Sequence, residues 1–160
     1  MNATLQRVLE DSAPAKPAFQ QWARSVVAGK VPGPPIVRLL GFKMTEIGDG
    51  TATIELEAGP QHANPMGTLH GGVLCDITDA AMGTALASTL EAGESFTTIE
   101  IKGNFFKPIW TGTLRAMGKV VRRTKSLAYL EADVLDPDGS LVFKAASTCM
   151  ILRGEQARGR

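Results

Sequence analysis

Scarcity sets the first limits on this chain. It has two cysteines, Cys75 and Cys149, which give neither a disulfide framework nor a metal-ligand spacing. It has no excess charge of either sign. Seventeen Lys and Arg stand against 16 Asp and Glu, a net charge of +1, so neither nucleic acid nor an anionic membrane surface finds an electrostatic footprint. No apolar run is long enough to span a bilayer and the start carries no signal-peptide pattern, so the expected location is cytoplasmic. Internal repeats and low-complexity segments are absent as well. What is present is ordinary in bulk: 160 residues, 44% hydrophobic and 21% charged, enough for one domain with a full core.

One stretch is not ordinary. A polar loop from Asn64 runs into His70-Gly71-Gly72, and an almost wholly apolar segment follows to Leu90, before Ala92-Gly93. Apolar residues on nearly every face predict a helix wrapped on nearly every face, the axis of the domain inside a curved sheet. Cys75 then reads as a small buried hydrophobe. Asp79 sits about two turns inside this helix, where a carboxylate is costly unless it has partners or work. The glycine pair adds chemistry of its own. A helix start presents unpaired N–H groups and partial positive charge, and glycine lets a ligand come close to them. Such an end suits a carbonyl oxygen becoming an anion. An oxyanion site and a carboxylate on one helix suggest acyl chemistry.

The flanking chain reads mostly as strands. Residues 2–11 read as a short helix with Leu5, Val8 and Leu9 on one side. Pro17 opens a second helix with Phe19, Trp22, Ala23 and Val26 on one side and Gly29 as its stop, lying across the outside of the domain. Residues 31–35, Val-Pro-Gly-Pro-Pro, are a rigid connector. Residues 42–47 and 51–58 flank a Gly48-Asp49-Gly50 hairpin turn, and the second alternates with Ala52, Ile54 and Leu56 inward. Residues 96–106, 112–122, 127–135 and 141–152 are four further strands, with a tight turn at 136–139. Two strands, a long helix and four strands joined by hairpins predict an α+β domain on a largely antiparallel sheet.

These residues resemble the hotdog-fold thioesterases, in which a curved antiparallel sheet of about six strands wraps one long helix. Among them the chain is most similar to the PaaI-like acyl-CoA thioesterases. The shared signature is Asn64, Gly67, His70-Gly71-Gly72, and Asp79 nine residues after the histidine. The likeness runs from about Ile36 to Leu152. The organisation is then a helical extension with a Pro-rich connector over residues 1–35, a hotdog domain over 36–152, and a frayed tail over 153–160. The resemblance implies a homodimer or a dimer of dimers, with active sites at the dimer interface. Gly71 or Gly72 of one subunit would polarise a thioester carbonyl, and Asp79 of the other would act as general base or nucleophile. Asn64 would hold the attacking water or the carboxylate, and His70 would shape the turn. A hydroxyl on the strand after the helix often assists, and Thr98 is favoured over Thr97. Arg122, Arg123 and Lys125 would meet the phosphates of coenzyme A. The acyl pocket would lie between two central helices, lined by Met66, Leu69, Leu74 and Met82. Small residues such as Ala80, Ala81 and Gly83 would leave room for an aryl or medium-chain acyl group. No metal or redox cofactor is implied, and coenzyme A enters only as part of the substrate.

Each candidate has a plainer reading. Asp79 could cap a loop, and Asp76 is its rival as the working acid. The glycines could serve close packing, and Asn64 a turn before Pro65. The basic trio could be a solvated hairpin end, His62 a loop histidine, and Phe105, Phe106 and Trp110 core or interface. Two other functions also fit the fold. A dehydratase or hydratase would pair His70 with Asp79, and a non-catalytic acyl-CoA-binding protein would bind without turnover. The glycine pair and the Asn64 spacing favour acyl-CoA hydrolysis.

Overall fold

The computed structural model describes residues 17–158; the segment over residues 2–11 lies outside the described residues. Six strands form one antiparallel sheet: β1 (Lys43–Ile47), β2 (Thr51–Ala58), β3 (Glu94–Phe105), β4 (Gly112–Arg123), β5 (Leu127–Leu135) and β6 (Leu141–Arg153). Their order is β1-β2-β4-β5-β6-β3, so β1 and β3 are the edges. Helices α1 (Pro17–Val27) and α2 (Pro35–Leu40) precede the sheet in sequence, and α3 (Gly71–Ala87) crosses the sheet's concave side. This is the hotdog architecture, and each expected strand is present to within a few residues.

Helix α2 begins at the last residue of the Pro-rich connector and occupies residues to which the sequence reading assigned no element. Pro35 takes the first helical position, where its missing N–H costs nothing. Gly41, at φ 77°, closes the helix by donating its N–H to the Val37 carbonyl. The central helix is shorter than the apolar run. Ser88 and Thr89 turn their hydroxyls back onto the carbonyls of Ala85 and Leu86, offering the backbone an alternative to another turn.

The core lies between α3 and the sheet. Alternation on β2 buries Ala52, Ile54 and Leu56, and Leu114 and Ala116 of β4 do the same. The helix answers with Leu74, Ile77, Ala81, Met82 and Leu86. Close approach depends on Gly118: a Cβ there would stand 2.5 Å from the Ala81 carbonyl carbon. The helix is not wrapped on every face, however. Asp76 and Asp79 are exposed, and Ala80 and Gly83 are only half-buried. This stripe faces the β3 edge of the sheet and, across a cavity, α1 and α2.

Candidate active site

The site is assembled along α3, beginning at its N-terminus. His70 is the N-cap in extended conformation (φ −64°, ψ 129°), and its Nδ1 accepts the Gly72 N–H at 2.9 Å. That bond leaves the proton of a neutral imidazole on Nε2. It also occupies the Gly72 donor, while the Gly71 N–H has no acceptor among the described residues. The Phe105 ring lies beside Gly71, so close that a Cβ would stand 2.9 Å from its edge. The preceding turn holds itself together. The Asn64 amide donates to Thr68 Oγ1 at 2.8 Å and its carbonyl oxygen accepts the Met66 N–H at 2.9 Å. Gly67 takes the positive φ (81°) that the turn requires. His62 is buried rather than looped out, with Nε2 2.9 Å from the Leu40 carbonyl, tying this loop to α2.

Farther along the helix, Asp79 meets β3. Thr98 Oγ1 donates to Asp79 Oδ1 at 3.3 Å, which selects Thr98 over Thr97 as the hydroxyl beside the acid. Asp79 keeps an exposed face, but loss of water around its carboxyl pushes it above the ordinary carboxylate range. The Thr98 bond pulls it partly back, and the Asp76 charge pushes it up again. Cys149 lies behind Thr98, Sγ to Oγ1 3.8 Å. Burial raises its thiol, so it stays protonated.

Asp76 and Asp79 sit on the wall of a cavity of about 320 Å³. The helix contributes Ala80, Gly83, Thr84 and Ala87, the sheet contributes Met44, Ile54 and Phe96, and α1 contributes Trp22 and Val26. The N-terminal helix is thus part of the cavity wall, not merely an outer layer. Met66 and Leu69 are not among its lining residues. Met66 is exposed on the loop tip and Leu69 is packed into the core, because both precede the helix whose open stripe forms the wall. Leu74 and Met82 also point the other way, into the sheet.

The basic cluster is divided. Arg123 forms an ion pair with Glu94, and Arg153 joins the same carboxylate. Burial would raise Glu94, but the Glu91 N–H and the two guanidiniums outweigh it and hold the carboxyl below its ordinary range. Arg122 and Lys125 are exposed and form no ion pair among the described residues. Among the described residues, no group of three or more His, Cys, Asp or Glu is placed to hold a metal ion. Among them too, no helix is long and apolar enough to cross a membrane, which does not bear on spanning by strands.

Two features of this arrangement were out of reach of sequence patterns. Trp22 and Val26 reach the site from 50 residues upstream or more, and the Glu94 ion pairs join three distant segments; no local signal announces either.

Comparison with known proteins agrees with the geometry. The family model of the thioesterase superfamily matches residues 66–143. A protein of Saccharolobus solfataricus named as a candidate esterase is 30% identical over 118 residues, 74% of this chain and 84% of that protein. The 1,4-dihydroxy-2-naphthoyl-CoA hydrolase of Listeria monocytogenes is 26% identical over 112 residues, 70% of this chain and 89% of its own length. Among solved structures, a candidate thioesterase of Ralstonia eutropha JMP134 related to phenylacetic acid degradation superposes with a TM-score of 0.71. It is 27% identical, over 80% of this chain and 98% of that one. The chain belongs to the thioesterase superfamily, an enzyme family of hotdog fold.

Proposed function

We propose that the protein hydrolyses acyl-CoA thioesters, with Asp79 as the acid–base centre and the Gly71 N–H as the oxyanion donor. The observation that carries this reading is Asp79 itself: a carboxylate raised above its ordinary range, held by Thr98, at the wall of an apolar cavity. Such a group takes a proton from water near neutral pH. The water oxygen bonds to the thioester carbonyl carbon as its proton passes to Asp79, and the Gly71 N–H stabilises the charge on the carbonyl oxygen. The C–S bond then breaks, the coenzyme A sulfur leaves with a proton, and a carboxylic acid remains.

One carbonyl cannot meet both groups of a single chain. Gly71 and Asp79 are eight residues apart on α3, which is about 12 Å along the axis. The reaction therefore calls for Gly71 of one copy and Asp79 of another, and a homodimer supplies both twice. Edge strand β3 suits such pairing. It is 12 residues long and exposes Ile99 and Phe105, with Phe106 and Trp110 just beyond; an unprotected edge of this kind is a template for a second copy. Arg122 and Lys125 are the cations of the basic cluster left to meet coenzyme A phosphates.

His70 argues for hydrolysis over hydration. Its Nδ1 is committed to the Gly72 N–H, so the ring lacks a free basic nitrogen. The deciding assay is release of free thiol from a panel of acyl-CoAs. Wild type turns over and Asp79→Asn loses on the order of a hundredfold or more. Binding without turnover across short, long and aryl thioesters would refute the reading, and a loss in His70→Ala as complete as in Asp79→Asn would favour the hydratase.

A further inference from the structure

We infer that the acyl group is housed within the protomer that supplies Asp79, under a roof formed by α1 and α2, and that Trp22 sets its size. The substrate class is a neutral, apolar acyl group. The inference deepens the thioesterase reading and rests on it.

The cavity has a reactive end at Asp79 and runs on from it along the helix. Asp79, Ala80, Gly83, Thr84 and Ala87 line it along α3, and from Asp79 to Ala87 the helix rises about 12 Å. A thioester placed at Asp79 can lay its acyl group along these small residues, where the lining offers no cation to a coenzyme A phosphate. The volume, about 320 Å³, corresponds to about ten water-sized groups, hence an acyl group of about ten non-hydrogen atoms. Among the described residues, the charged groups lining it are Asp76 and Asp79. An acyl group with a second carboxylate would meet like charge at the mouth and no cation among these lining residues.

The roof explains how the size is set. Ala23 is fully buried and seats α1 on the domain, leaving Trp22 and Val26, half-buried, to face the cavity. From α2, Ile36 and Val37 continue the roof. Both helices precede Met66, where the match to the family model begins, so this wall is carried by a part of the chain that the family model does not include. The floor opposite is Gly83. A Cβ added there would lie 3.4 Å from the Phe96 ring, in ordinary contact, and a longer side chain would project into the cavity.

The test is a chain-length profile with the full chain. kcat/KM is measured for straight-chain acyl-CoAs from butyryl to palmitoyl, with phenylacetyl-CoA and succinyl-CoA added. Wild type is expected to peak at medium length or aryl size and to reject succinyl. Trp22→Ala should raise the long-to-medium ratio on the order of tenfold, and Gly83→Leu should lower the medium-to-short ratio by a similar factor. Trp22→Phe provides a conservative variant should the alanine fail to fold. If all variants turn over with the wild-type profile, the inference is overturned and the thioesterase reading stands. If no thioester is hydrolysed, that reading fails. The inference is then decided by the affinities of non-hydrolysable thioether analogues of the same lengths, which must show the same shifts.

Discussion

A site shared between two copies makes a prediction that few other arrangements would satisfy. Gly71→Pro removes the N–H proposed to bind the oxyanion while keeping the helix. Proline is favoured at the first helical position, and His70 already has the extended conformation that a residue before proline prefers. The Phe105 ring beside Gly71, packed on Phe143, must shift to admit the proline, so a thermal melt accompanies the assay. Loss of one such donor costs about a hundredfold to a thousandfold in turnover, and Asp79→Asn costs at least a comparable factor. Each variant alone is therefore nearly dead. In a mixed dimer the two sites differ. One site brings both substitutions together and is doubly disabled, whereas the other combines the intact Asp79 of one copy with the intact Gly71 of its partner. Random assembly makes about half of the dimers mixed, so co-expressed variants should recover about a quarter of wild-type activity per site. The assay is thiol release from tandem-tagged, co-expressed pairs, purified so that both tags are present, a selection that raises the expected recovery to about half. Mixed dimers no more active than either parent would refute the shared site, and full activity in Gly71→Pro would refute the donor.

Further expectations follow from the same contacts. Activity needs ionised Asp79, so its acid limb should lie above the ordinary carboxylate range; Asp76→Asn removes a like charge and should move the limb to lower pH, whereas Thr98→Val removes a stabilising bond and should move it higher. A pH–rate profile that moves both the same way would contradict the assignment. Gly118→Ala drives a Cβ against the backbone of Ala81 and Met82, which should cost about 3 kcal/mol and lower Tm by roughly 6–12 °C in a thermal melt. Glu94→Gln strips the partner from two guanidiniums and should cost ~2 kcal/mol, discounted because both arginines partly reach solvent. Since the Glu94 pKa is lowered on folding, that loss should be full above the ordinary glutamate range and vanish as pH falls through the folded value, as denaturant titrations at several pH values would record. Gly83→Ala should raise stability by about 0.5–1 kcal/mol while reducing kcat/KM for the largest acyl group accepted.

Most of the sheet was legible in the sequence because each strand carries its own evidence: strict alternation in residues 51–58, and turn chemistry at Gly48-Asp49-Gly50 and at Asp136 to Gly139. Asp79 and the glycine start were singled out by the spacing shared with the resembled family, whereas the choice between Thr97 and Thr98 needed the strand register, which puts the Thr98 hydroxyl beside Asp79. The cavity was not. Leu74 and Met82 looked like its lining because they are large and apolar near the motif, yet they face the sheet. A helix apolar on nearly every side has only Asp76 and Asp79 to mark its phase, so size must add to that mark. Along α3 the sheet-facing positions are filled by Leu74, Ile77, Met82 and Leu86, while Ala80, Gly83 and Ala87 line the cavity. Glycine in mid-helix costs nearly 1 kcal/mol against alanine, and at Gly83 an alanine would meet no obstruction closer than an ordinary contact. Backbone strain does not account for that glycine either, for its φ is not positive. Close packing and turn geometry thus both fail to explain a residue that weakens the central helix where it faces the open space. Room for an acyl group does explain it, and puts Gly83 where the proposed acyl group would pass.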